Sequence, residues 1–253
     1  MNFTRVVIFS ALTAMAFSCS EDDAPKTNSG DLATASLSFV GEQSVLATPA
    51  AMTTSQDANA ALAIGYVAQA NLITNSFAHF TPPQGALKTA VQITATNGVA
   101  PEVTSGYLVY TWTDAKVGTV AYQVSATSES WFFEIFIKGK DETWQRAISA
   151  MERKDKSAGR LSTYNILGDG GVAASYAWKR IDNRLTFVAS EYVDGLNISI
   201  IVESNLKTLE GRVAYESNNL RFAQMEWDAQ GNGSWTMFEE NGKVILDSGK
   251  WKI

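Results

Sequence analysis

From Glu102 to Ile253 the chain contains no proline, although five occur in its 253 residues, and the same stretch holds all seven tryptophans. Proline has no backbone N–H to give to a β ladder, whereas aromatic side chains suit a pleated, half-buried surface. The segment therefore reads as continuous antiparallel sheet. Residues 31–101 are built differently: they are rich in alanine, hold four of the prolines and lack tryptophan.

Turn chemistry sets the rhythm of the sheet. Apolar and aromatic runs at 86–95, 106–113, 119–127, 131–138, 144–151, 159–167 and 173–179 are strand candidates. So are 185–190, 196–203, 208–215, 220–227, 234–238 and 244–251. Between many of them stand tight-turn residues: Gly168-Asp169-Gly170-Gly171, Asp182-Asn183, Asp194-Gly195, Asn218-Asn219, Gly231-Asn232-Gly233 and Asn241-Gly242. Connections this short make neighbours in sequence neighbours in space. The expectation is an up-and-down meander of ten or more strands, a sheet that must curl, close or fold over itself. A weak echo runs through it. GRLSTYN from Gly159, GRVAYES from Gly211 and GSWTMFE from Gly233 each open a strand on glycine and carry an aromatic inside. Their spacings, 52 and then 22, fit no fixed repeat and read as hairpin grammar.

One helix is expected ahead of the sheet, over about 55–80. Leu62, Tyr66, Ile73, Phe77 and Phe80 follow steps of four, seven, four and three, one stripe at 3.6 residues per turn. Ser55 or Asp57 would cap its start, and Pro82-Pro83 ends it. The stripe is expected to pack on the sheet. The fold class is thus mainly β, with an α+β character on the N-terminal side: one amphipathic helix on a long, curved antiparallel meander, open or barrel-like. A single domain over 31–253 is large enough for a real core.

The first 18 residues carry one charge, Arg5, followed by an apolar core from Val6 to Phe17 broken only by Ser10 and Thr13. That is the length of a secretory signal and too short to cross about 30 Å of hydrocarbon. Ala16-Phe17-Ser18 then precedes the only cysteine, Cys19. This junction resembles the lipobox of bacterial lipoproteins, with Ala16 where leucine is usual. The resemblance implies cleavage before Cys19, a diacylglycerol on its sulfur and an acyl group on its amine. Chemistry agrees: a lone thiol in an oxidising compartment has no partner, and a thioether to lipid removes it. Each buried CH₂ contributes about 0.8 kcal/mol, so two or three acyl chains anchor firmly. Ser20-Glu21-Asp22-Asp23 resembles the acidic export tag of Bacteroidota lipoproteins, which implies an outer-membrane, lipid-anchored protein, with the cell surface favoured over a periplasm-facing position. Residues 19–30 would form the tether.

Removal of the leader leaves 19 basic and 26 acidic side chains, a net charge of −7. With no basic cluster, nucleic acid is not an expected partner, nor is a second membrane contact through a polybasic face. His79 is the only histidine, so zinc sites built on histidine and cysteine are excluded. No G-x-S-x-G elbow, P-loop or dinucleotide-binding glycine pattern occurs. No catalytic set can be assembled, and the expectation is a protein that is not an enzyme and takes no cofactor beyond its covalent lipid.

Two weaker constellations remain. Asp228, Asn232 and Glu239 nearly fit a calcium loop, with Gln230 as the mismatch, but its flanks read as strands and would carry Asp228 and Glu239 apart. Trp131, Trp227 and Trp235 are candidates for stacking on a sugar, with Glu129, Glu134 and Glu226 nearby; core packing is the competing reading. A helix followed by a bent meander resembles, in outline only, the open-barrel lipoprotein carriers of the LolA type. That implies a concave face sheltering an apolar ligand. A surface carbohydrate-binding or adhesin module is the alternative.

Overall fold

A computed structural model describes residues 29–35, 37, 46–77, 81–98, 101–103 and 106–253. Cys19, the acidic tag, His79 and Phe80 lie outside the described residues. Two helices, α1 (Ser29–Thr34) and α2 (Ala58–Phe77), flank a 3-10 turn at Ala50–Thr54. Thirteen strands follow. They are β1 (Leu87–Thr89), β2 (Leu108–Asp114), β3 (Gly118–Ala126), β4 (Ser130–Lys138) and β5 (Trp144–Arg153). Next come β6 (Ala158–Tyr164), β7 (Val172–Ile181), β8 (Arg184–Val193) and β9 (Leu196–Asn205). The last four are β10 (Gly211–Ser217), β11 (Leu220–Trp227), β12 (Gly233–Phe238) and β13 (Ile245–Trp251).

All thirteen form one sheet in strict sequence order, each strand antiparallel to the next. The first and last do not pair, so the meander is open rather than a barrel. Left-handed turn residues make the reversals cheap: Asp194, Asn218 and Asn219 take positive φ alongside Gly195 and Gly242.

Because side chains alternate across a strand, register fixes two faces. One face carries the main core, a single buried cluster from Leu108 on β2 to Trp251 on β13. A continuous row crosses it: Trp131, Glu152, Gly159, Trp178, Phe187, Val202, Val213, Met225, Trp235 and Gly249 stand opposite one another on successive strands. We call this the inner face. The helices lie against it, α2 on β9, β10 and β11, and α1 on β2 and β3.

The glycine echo finds its meaning here. Gly159 faces Trp178, Gly211 faces Trp227 and Gly233 faces Trp251, in each case across to the next strand. Gly249 faces Trp235 in the opposite sense. In all four the indole occupies the space above the glycine, where a Cβ would collide with the ring. The Trp227 and Trp251 indoles donate to the Leu209 and Gly231 carbonyls, both at 2.7 Å. The motif is thus a cross-strand glycine–tryptophan pair, and hairpin length varies the interval.

Helix α2 corrects one expectation. Asp57 caps it, its Oδ1 accepting from the amides of Asn59 (2.8 Å) and Ala60 (3.3 Å). The buried side chains, however, are Ala60, Ala63, Val67 and Ala70, while Leu62 is 41% exposed. Tyr66 and Ile73 are only partly buried, against the edge of the cluster. Small side chains let the helix backbone approach the sheet closely, and the larger apolar residues flank that contact. Helix α1 also begins at Ser29, inside the stretch read as tether, and β1 covers only three of the ten residues expected.

Residues 91–98 cross the outer face instead, over Val109, Ala121 and Phe136. They cover a buried polar trio. Arg146 donates to Glu134 through Nε (2.9 Å) and Nη2 (2.9 Å), and Gln123 Nε2 donates to the other Glu134 oxygen (2.8 Å). The Ile93 amide donates to Gln123 Oε1 (2.8 Å), and Asn97 exchanges hydrogen bonds with the Arg146 backbone. Every charge in the trio is satisfied, as burial demands.

Candidate functional site

On the inner face, α2 makes its main contacts with β9 to β11, and among the described residues two cavities open at the β2–β5 end. Alternation sends Tyr110, Trp112 and Asp114 from β2, Val120, Tyr122 and Val124 from β3, and Ile135 and Ile137 from β4 to that side. On β5 a bulge opposite Ile135 and Phe136 leaves Ala147 unpaired, so Ala147 and Ile148 both join the lining. Thr81-Pro82-Pro83 and α1 close the other side.

Two cavities result, of about 350 and 300 Å³, and they share Thr81 and Tyr122. The first runs under Leu32, Ala35, Pro82, Pro83 and Tyr110. The second runs under Trp112, Val117, Ile135, Ile137 and Ile148. Together they form a groove of the size and apolar character of a small-ligand site.

Tyr122 stands at the junction. It is 4% exposed, with its ring between Tyr110 and Phe133, each centroid 6.3 Å away. Its hydroxyl has no hydrogen-bond partner among the described residues. Burial, and then the neighbouring Tyr110, push its pKa upward, so it remains a neutral donor. Among the described residues, Asp114 is the only ionised side chain in the lining. Its Oδ1 accepts from the amides of Lys116 (2.8 Å) and Val117 (3.1 Å), which hold its pKa below the usual carboxylate value.

A wider depression of about 620 Å³ lies over the ends of β8–β13. Its charges are arranged against one another: Glu203, Arg212 and Glu226 stand side by side on β9, β10 and β11, and Arg212 pairs with Glu203. It is a charged surface, with a second, longer pair between Arg184 and Glu210 (3.9 Å).

Of the tryptophan candidates, Trp227 borders this depression, and Trp131 and Trp235 do not. Trp227 is a core residue at 4% exposure, and Trp131 and Trp235 pack against the same cluster. Lys154 Nζ lies over the Trp131 ring, 4.4 Å from its centroid. Of the nearby acids, Glu134 is in the buried trio, while Glu226 projects from the other side of the strand to Trp227 although both border the 620 Å³ depression. No exposed aromatic strip is assembled from these three.

Asp228 and Asn232 do meet, in the β11–β12 turn. Asp228 Oδ1 accepts from the amides of Gln230 (2.9 Å) and Asn232 (3.0 Å). Glu239 lies beyond the far end of β12, about 17 Å of strand away. Among the described residues no three His, Cys, Asp or Glu side chains are grouped to hold a metal ion. No helix among the described residues is long and apolar enough to cross a membrane.

Neither a comparison with family models nor one with curated proteins finds a match to this chain.

Proposed function

We propose that this chain is a lipid-anchored outer-membrane protein, held by the acyl groups on Cys19 and displayed at the cell surface, that binds an apolar ligand in the groove at Tyr122. The observation that carries the binding half is the groove itself: Trp112, Tyr122, Ile135, Ile137 and Ile148 line open volume on a face whose other half is filled by α2. What supports the anchor is the apolar leader ending at Cys19 and the acids behind it. A binding role needs only shape and a few polar groups.

The two halves are tested separately. Cells fed radioactive palmitate should label the protein, and Cys19→Ser should abolish the label and release the protein from membranes. Labelling that survives the substitution would refute the anchor. For the groove, Nile red should gain fluorescence on binding residues 19–253 carrying Cys19→Ser, and Ile135→Glu should remove most of the gain. A gain untouched by that charge would place the dye elsewhere.

A further inference from the structure

We propose that the β13 edge of the sheet pairs with the same edge of a second copy of this chain, antiparallel about a two-fold axis, to form a symmetric dimer. The basis is a strand whose exposed apolar and charged groups complement their own reversed copy. Among the described residues β13 pairs with β12 alone, and Ile245, Leu246, Asp247 and Ser248 are all exposed. Alternate residues of such a strand turn their N–H and C=O away from the sheet. The Ser248 amide donates to Asp247 Oδ1 (2.8 Å), an exposed side-chain partner that an incoming strand can replace.

Charge changes sign along this edge. Glu239 and Glu240 stand in the turn that leads into β13 and Asp247 within it, with Lys243 offsetting one of the three, while Lys250 and Lys252 stand at the far end. All six side chains are exposed. Glu226 and Asp228 also border the lysine end, but they are engaged by Gln224 and by the amides of the β11–β12 turn. Reversal therefore sets the lysines of each copy beside Glu239 and Glu240 of the other, and full overlap of β13 centres the axis at Ser248. A parallel copy would set like charge on like charge. The apolar groups fit the same arrangement. Leu246 lines a depression of about 570 Å³ with Phe222 and Phe238, rimmed by Glu239 and Glu240. The aliphatic stems of Lys250 and Lys252 from the second copy cover that surface while their ammonium groups reach the acids. The contact is isologous, so it closes the edge instead of extending it into a filament.

Sedimentation equilibrium of residues 19–253 carrying Cys19→Ser, with no acyl chain to contribute, should show a dimer at micromolar concentration. Lys250→Glu with Lys252→Glu, and separately Glu239→Lys with Glu240→Lys, should each raise the dissociation constant at least about tenfold by setting like charges together. An equimolar mixture of these two variants should restore the parent affinity, because each contact then joins opposite charges again. Ser248→Pro removes a donor from the edge without altering its charge and should also leave a monomer, with far-ultraviolet circular dichroism checking the fold. A chain that is monomeric throughout overturns the proposal and leaves the edge to a strand of another protein. Charge variants that associate as tightly as the parent overturn it too, as does a mixture no tighter than its components.

Discussion

At Gly211 a side chain has no room: a Cβ would stand 2.5 Å from Trp227 Cζ2 and 2.6 Å from the Glu203 carbonyl oxygen. Neither neighbour can give way, because the indole is pinned by its bond to Leu209 and the carbonyl belongs to a paired strand. Gly211→Ala should lower stability by about 2 kcal/mol, read as a drop in the urea midpoint. Gly65, in the middle of α2, meets nothing within 4 Å of a built Cβ. There the same substitution should raise stability by roughly 0.5–1 kcal/mol, because alanine loses less backbone freedom in a helix. The contrast separates steric need from mere tolerance. At the buried trio the governing effect is charge. Arg146→Met strands Glu134 and should cost about 3–5 kcal/mol. Adding Glu134→Gln should recover part of that loss, since the amide leaves no buried charge. Equal stability of the single and double variants would show the carboxylate was never desolvated.

The β5–β6 turn supplies a prediction for a single hairpin. Asp155 accepts from the Ser157 hydroxyl (2.6 Å) and amide (3.0 Å), with Arg153 beside it, and its pKa is lowered to about 2. A carboxyl whose folded pKa is depressed favours the folded state above its unfolded pKa of about 3.9. That contribution is lost as pH falls from about 4 towards 2. Asp155→Asn should therefore narrow the stability difference between pH 5 and pH 2, measured by urea titration at each pH. Hairpins are also where sequence and structure agree best. Turn residues such as Asp194-Gly195 and Asn218-Asn219 dictate backbone geometry locally, so thirteen strand positions could be read in order. Helix α2 was legible in extent but not in orientation. Large apolar residues suggest a buried stripe, yet close packing on a sheet selects Ala60, Ala63 and Ala70, which carry little hydrophobic signal of their own. The groove was less legible still. Alternation alone puts Tyr110, Trp112 and Tyr122 on one face, but nothing local says that α2 stops short of them. The β5 bulge that adds Ala147 depends on pairing with a different strand, and the glycine–tryptophan pairs were hidden because partners lie 14 to 19 residues apart.

Across the whole molecule, the open meander leaves two edges that are not alike. At one, β1 is three residues long, a common way of blunting an edge. At the other, β13 offers seven residues, and Ile245 and Leu246 are 60% and 68% exposed. A long apolar edge is a template for pairing with further chains. Leu246→Lys should raise the protein concentration at which light scattering sets in, and unchanged onset would exonerate this edge. The C-terminal end of β13 behaves differently. Pulled at Ile253, a sheet of antiparallel neighbours unzips one rung at a time, a geometry that resists little force. Trp251 is the first rung, its ring wedged over Gly233 and its indole latched to Gly231. A tug in single-molecule tweezers should meet one force peak at the outset, when that latch breaks, and another when the Trp227 indole leaves Leu209.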